Sequence, residues 1–177
     1  MEKTMFLIIA TLLVVVDQLT KWWASTTFVL NEQGLYVGLG FYFTYVQNTG
    51  AAFGILQNGT AALSILSAVV AAFICGYLWL NARKLPALQY AALTLILAGA
   101  VGNMIDRFRL GYVVDFIHFN VPGFSFPVFN IADSCVVVGA GLLLISSFIG
   151  TEKSRESEEL PVDTEHFGDL EHNTEQR

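Results

Sequence analysis

The chain has 177 residues, 54% of them hydrophobic, which is long enough for one domain and too apolar for an ordinary soluble one. Its net charge of −6 is confined to the end: residues 151–177 carry nine acids against three bases, so residues 1–150 are neutral, with six of each. No basic stripe for nucleic acid is present. Cys75 and Cys135 sit in apolar runs without metal-ligand spacing or a loop partner, the setting of packing residues and not of a disulfide framework.

A helix that crosses a membrane needs about 20 mainly apolar residues, and residues 5–24 are the first such stretch. Asp17 and Lys21 interrupt its far end and no small-x-small cleavage pattern follows before Thr26, so it reads as a mature helix and not a cleaved signal. The two residues lie four apart, acid before base, which puts them on one helix face as an ion pair. Near a helix end such a pair holds structure, braces a sheet or binds a substrate backbone.

The connection 25–60 contains the run from Gly34 to Val46, aromatic and β-branched between glycines, which reads as one or two short strands. Open strand edges cannot stand in hydrocarbon, so this β-rich element between helices one and two belongs at the membrane surface. Trp22, Trp23, Tyr36, Tyr42 and Tyr45 fit an interfacial belt there. Asn48-Thr49-Gly50-Ala51-Ala52-Phe53-Gly54 has the composition of a tight turn that another backbone can approach, either a plain loop or one wall of a peptide groove.

Residues 61–80 and 87–106 form the second and third spans, joined by a short turn with Arg83 and Lys84. Lys3 precedes the first span, and Lys153 and Arg155 follow the fourth, so the positive-inside rule places this turn and both termini in the cytoplasm. The third span ends in Gly99-Ala100-Val101-Gly102-Asn103-Met104-Ile105-Asp106-Arg107, whose small residues allow close helix contact. Asn103 and Arg107 share a helix face four apart, with Asn103 toward the bundle. Asp106 reads as a neighbour of Arg107 at headgroup level.

In the connection 107–131, Asp115 lies among Val113, Val114, Phe116 and Ile117, where an unpaired carboxylate is costly. The fourth span, 132–149, opens with Asp133, which taken alone is an N-cap candidate. Alternating traverses gather Asp17, Lys21, Asp106, Arg107, Asp115 and Asp133 at one membrane face. Ionisable groups at that depth are functional candidates by default.

If Asp115 and Asp133 meet, one shared proton relieves their repulsion and splits their pKa values. One carboxylate then activates a water while the protonated partner polarises a peptide carbonyl and later helps protonate the leaving amine. Asp133, at a helix N-terminus, is expected to be the more acidic member. His118 with Ser125, Ser134 or Cys135 would be a rival nucleophilic site, though no spacing shows the pairing, and a metal site from His118, Asp115 and Asp133 matches no motif. No cofactor is implied. Residues 151–177 are polar, acidic and aperiodic, and are expected to be a disordered cytoplasmic tail beside a four-helix membrane domain of residues 1–150.

Five segments in order resemble those of the bacterial lipoprotein signal peptidases, the signal peptidase II family. They are Asp17-Gln18-Leu19-Thr20-Lys21, Asn48 through Gly54, Gly102-Asn103-Met104-Ile105-Asp106-Arg107, Val113-Val114-Asp115-Phe116, and Phe129-Asn130-Ile131-Ala132-Asp133. The resemblance spans about residues 5–150 and implies an α-helical membrane protein of four transmembrane helices with an aspartic endopeptidase site. Asp115 and Asp133 would be its catalytic pair, Asn48, Gly50, Asn103, Arg107, Asn130 and Ala132 would line or support it, and Asp17 and Lys21 would hold the extracytoplasmic part. It further implies a monomeric enzyme of the bacterial inner membrane, active at its outer face on prolipoproteins that already carry diacylglycerol, and cutting on the amino side of the lipobox cysteine. The competing reading is a small proton-coupled carrier or assembly factor, since intramembrane carboxylates also serve proton relays, but a carrier more often shows internal repeats and broken midplane helices.

Overall fold

The computed structural model describes residues 4–50 and 60–159, with side chains described through residue 149. The elements run α1 (Met5–Thr27), β1 (Leu35–Gly38), β2 (Phe41–Asn48), α2 (Thr60–Asn81), α3 (Ala87–Leu110), β3 (Val113–Val121), β4 (Phe124–Ser125) and α4 (Ile131–Glu159). Among the described residues, four helices are long and apolar enough to cross a membrane: the first three whole and α4 over Ile131–Ile149. Met1–Leu144 forms one compact unit and Ile145–Arg177 another, and the site described below lies wholly in the first. The helical backbone of α4 continues to Glu159, into the segment read as a tail; residues 160–177 lie outside the described residues.

Helix α3 is the central one, burying Tyr90, Ala92, Thr94, Leu97, Ala98, Gly99, Gly102, Asn103 and Asp106. In contrast, α1 turns Ile8, Leu12, Val15 and Leu19 outward and keeps a narrow buried stripe of Phe6, Ala10, Asp17, Lys21 and Ala24. Outward apolar faces are expected where acyl chains are the solvent, because each helix satisfies its own backbone bonds and has no need of a polar exterior. Near the N-terminus of α1 the core is closed by Phe6 and Tyr90, edge to face at 6.5 Å between ring centroids.

Two glycines let α3 touch its neighbours. A Cβ at Gly99 would strike the Ala132 carbonyl oxygen and Val136, and one at Gly102 would come within 2.7 Å of Asp17 Oδ2 and 3.1 Å of the Ala132 Cβ. These contacts draw α1, α3 and the start of α4 together at the level of the acids, the usual service of small residues in membrane helices.

The sheet is antiparallel, in the order β1-β2-β3-β4. It therefore differs from the expected element between helices one and two, because half of its strands come from the segment after α3. Gly111, at φ +79°, ends α3 in the left-handed conformation and its N–H closes on Arg107 O at 3.1 Å, after which β3 returns beside β2 with Val46 opposite Asp115 and Asn48 opposite Val113. Val113, Val114, Asp115 and Phe116 are all buried. With both faces covered at this end, β3 has no alternating pattern, and a short continuous apolar run does not declare itself a strand.

Trp23 ties the sheet to α1, packing edge-on against Phe28 and Phe43 at 5.2 and 5.3 Å and against Phe116 at 6.5 Å. Tyr45 is buried and acts as a packing residue, Trp23 packs on the sheet while staying partly exposed, and Trp22 is the more exposed of the two tryptophans, as an interfacial aromatic would be.

Candidate active site

Asp115 and Asp133 are held by three asparagines, and each amide is turned by a group that can only donate. Asn48 Oδ1 accepts the Gly50 N–H at 3.0 Å, so its amide nitrogen faces outward and donates to Asp115 Oδ2 at 2.9 Å. Asn130 Oδ1 accepts the Asp133 N–H at 2.8 Å, so its nitrogen donates to Asp115 Oδ1 at 2.6 Å. Asn103 Oδ1 accepts from the Lys21 ammonium at 2.9 Å, which leaves its nitrogen to donate to Asp133 Oδ1 at 2.7 Å. An ammonium and a backbone N–H have no acceptor capacity, which is why these orientations follow from chemistry.

Asn130 joins the two acids. Its side chain reaches Asp115, while its backbone N–H donates to Asp133 Oδ2 at 3.3 Å and its side-chain oxygen receives the Asp133 N–H. This reciprocal arrangement is a capping box, with Asn130 at the N-cap of α4 and Asp133 in the first turn. The cap is therefore Asn130 and not Asp133, whose carboxylate closes the box through Oδ2 and accepts from Asn103 through Oδ1.

A second layer lies beneath. Lys21 Nζ pairs with Asp17 Oδ2 at 2.9 Å and Asp106 Oδ2 at 3.1 Å, and with its bond to Asn103 all three of its N–H groups are used. Asp17 Oδ1 accepts the Ala132 N–H at 2.9 Å, and Asp106 Oδ2 accepts the Val114 N–H at 3.1 Å. Asp17 and Lys21 thus form the ion pair that their spacing predicts, and they brace both the start of α4 and the start of β3. Asp106 is not a solvated neighbour of Arg107: it is 2% exposed, like Asp17 and Asp115 at 1% and Lys21 at 3%. Gly99, Gly102, Asn103 and Asp106 fall on one helical stripe, and that spacing carries the information that Asp106 faces inward. Gln18 also belongs to the layer, donating to Asp106 Oδ1 at 2.9 Å and Gly102 O at 3.2 Å. Its position beside Asp17 in an otherwise apolar helix is the signal the sequence offers for it.

Asp115 and Asp133 open on a cleft of about 1140 Å³ whose polar wall includes Asn48, Gly50, Asn103 and Arg107. Arg107 Nη2 donates to Gly50 O at 3.4 Å, and its buried Nε has no hydrogen-bond partner among the described residues. Asn130 and Ala132 lie behind this wall, fully buried, and support it without lining it. The opposite side is apolar, with Leu66 and Val70 from α2, Ile96 from α3 and Val137 from α4. Residues 51–54 of the glycine-containing turn lie outside the described residues.

Burial, and after it the negative charge of Asp133, push Asp115 up to about 7, against the donors from Asn48 and Asn130 that favour its anion. A carboxyl raised in this way adds stability that is complete below about pH 4 and is lost as the pH rises through 7. Such a group holds a proton near neutrality, which is what an acid catalyst in this position requires.

The rival groupings stand apart. His118 Nε2 and Ser125 Oγ are 2.9 Å apart, so the histidine does meet a serine, but on the exposed edge where β3 pairs with β4 and with His118 opposite Tyr42. Ser134 Oγ is spent on the Asn130 carbonyl at 2.9 Å. Among the described residues, no three His, Cys, Asp or Glu side chains converge as a metal site.

The family model described as signal peptidase (SPase) II matches residues 9–149. A lipoprotein signal peptidase of Symbiobacterium thermophilum is 45% identical over 139 residues, covering 78% of this chain and 91% of that protein. One of Bacillus pumilus is 40% identical over 152 residues, covering 86% and 97%. Among solved structures, a bacterial membrane enzyme determined in meso at 2.3 Å superposes with a TM-score of 0.76 at 33% identity, covering 84% of this chain and 90% of that one.

Proposed function

The chain belongs to the signal peptidase II family, and from that premise we propose that it removes the signal peptide from diacylglyceryl-modified prolipoproteins, with Asp115 and Asp133 as its catalytic pair. The observation that carries the assignment of the pair is Asn130, which is hydrogen-bonded to both carboxylates at the wall of one cleft.

In this reading Asp133, in the first turn of α4 and hydrogen-bonded by the Asn103 amide, takes a proton from a water. The water oxygen forms a bond to the scissile carbonyl carbon, while Asp115, protonated near neutral pH, hydrogen-bonds the carbonyl oxygen. Collapse of the tetrahedral species breaks the C–N bond, and the leaving amine takes the proton. No covalent enzyme intermediate is involved, and Asn48, Gly50, Asn103 and Arg107 orient the pair and the peptide. The cut falls on the amino side of the lipobox cysteine.

The positions of Lys3, Arg83, Lys84, Lys153 and Arg155 support cytoplasmic termini and a site at the outer face of the bacterial inner membrane. Residues 1–150 then make up the peptidase and 151–177 take no part in the reaction. The apolar side of the cleft, on α2 and α4, suits acyl chains, each buried CH₂ contributing about 0.8 kcal/mol.

The purified protein in detergent, incubated with a diacylglyceryl-modified lipobox peptide and with the same peptide unmodified, tests this directly. Mass analysis is expected to show one cut before the cysteine, with kcat/KM at least about tenfold higher for the lipidated peptide, since two buried CH₂ groups already supply that factor. Folded protein that leaves the lipidated peptide intact would refute the reading.

A further inference from the structure

Lys21 touches neither acid of the pair, yet it decides what one of them meets. Its ammonium is 3% exposed and its three N–H groups point to Asp17 Oδ2, Asp106 Oδ2 and Asn103 Oδ1. Asn103 Oδ1 also accepts from Asn130 Nδ2 at 3.2 Å. Two donors therefore fix the Asn103 oxygen on the side away from Asp133, and the amide nitrogen is left facing Asp133 Oδ1 at 2.7 Å. If the amide turned over, an oxygen would face the carboxylate, and that contact is tolerable only with a proton on Asp133.

We propose that Lys21 is a positioning residue for the carboxylate pair, which acts through Asn103 to keep a hydrogen-bond donor on Asp133 and so leaves the pair's single proton to Asp115. This rests on the peptidase reading above and goes beyond it, because a brace alone needs no particular chemistry at Asn103.

Among the described residues, the charged groups around the pair are Lys21 and Asp17 from α1 and Asp106 and Arg107 from α3, with the thiol of Cys135 two positions beyond Asp133 on α4. Of these, Lys21 is the one cation that hydrogen-bonds a side chain which itself hydrogen-bonds a member of the pair. Its charge also lowers Asp115, behind the larger effects of burial, Asp133 and the donors from Asn48 and Asn130. Loss of Lys21 therefore acts in one direction on both acids: each holds its proton to higher pH.

The Lys21→Met/Asp106→Asn double variant removes one charge of each sign. Asp17 keeps the Ala132 N–H and Gln18 as donors, and the new amide oxygen at position 106 can still accept the Val114 N–H. With the lipidated peptide, kcat is expected to fall about tenfold, KM to stay within about twofold, and the pH–rate profile to move up by about one unit, the scale of one charge-assisted hydrogen bond. A merely structural Lys21 would change the melting temperature and leave the profile where the parent has it, and that result would overturn the proposal.

Should the double variant not fold, Lys21→Arg and Lys21→Gln decide the matter. A guanidinium can only donate and holds Asn103 as it stands, whereas a glutamine amide also accepts and leaves the longer Asn130 bond as the one remaining donor that holds the Asn103 oxygen. A profile that stays in place for arginine and rises for glutamine supports the proposal; equal displacement in both, or in neither, overturns it. A parent protein that cuts nothing would instead sink the underlying peptidase reading, so the two failures are distinguishable.

Discussion

Asp115→Asn and Asp133→Asn are each expected to lower kcat on the lipidated peptide by about 10³-fold, near the middle of the range for loss of a positioned acid or base. That factor corresponds to about 4 kcal/mol of transition-state stabilisation. The stability consequence differs in kind. The amide introduced by Asp115→Asn keeps one oxygen and presents a nitrogen where Asp115 now accepts from Asn48 or Asn130, and neither donor is free to turn, because Gly50 N–H and Asp133 N–H hold them. One buried donor then faces another, at a cost of about 1–3 kcal/mol. At pH 8 the parent has itself given up the stability of protonated Asp115, so the difference between the two proteins narrows from pH 5 to pH 8. Detergent melting curves at these two pH values, run beside the rate measurement, check both statements; a variant that melts like the parent and cuts like the parent would remove the aspartate from the chemistry.

Asn130 is expected to give the second largest loss, and two substitutions separate its two jobs. Asn130→Ala removes the cap of α4, worth about 1 kcal/mol, and takes away the 2.6 Å donor on Asp115. Asn130→Ser retains a hydroxyl able to cap the helix but too short to serve Asp115. Both variants are expected to lose about 10²-fold in kcat, the effect of a small misplacement of a reacting group, while only the alanine variant loses the capping contribution to the melting temperature. If the serine variant kept full activity, Asn130 would be a cap and nothing more.

The helices are legible in the sequence because a bilayer demands length and apolarity, and both can be read directly from a run of residues. Their polar ends extend three or four residues past the apolar windows at Thr27 and Leu110, since a terminal turn among headgroups does not need apolar side chains. The ion pair of Asp17 and Lys21 follows from local spacing. Strand β3 does not, since burial of four successive residues erases the alternation that marks a strand, and its partner β2 is more than sixty positions away. Asp106 is misread from sequence because a charged pair at a helix end looks solvated until the neighbour across the interface is known, and that neighbour, Lys21, lies on another helix. The capping role moves from Asp133 to Asn130 for a related reason: both are good caps, and only the backbone start of α4 at Ile131 separates them.

The central claim is that two carboxylates share one proton and that this singly protonated form does the work. It is tested most directly by the pH dependence of kcat/KM on a diacylglyceryl lipobox peptide, measured from about pH 4 to 9 for the folded parent. The expected result is a bell whose alkaline limb falls at about 7, where burial and the charge of Asp133 place Asp115, with an acidic limb where the second proton binds. A rate that rises or falls along a single limb across that range would contradict the shared proton and, with it, the mechanism.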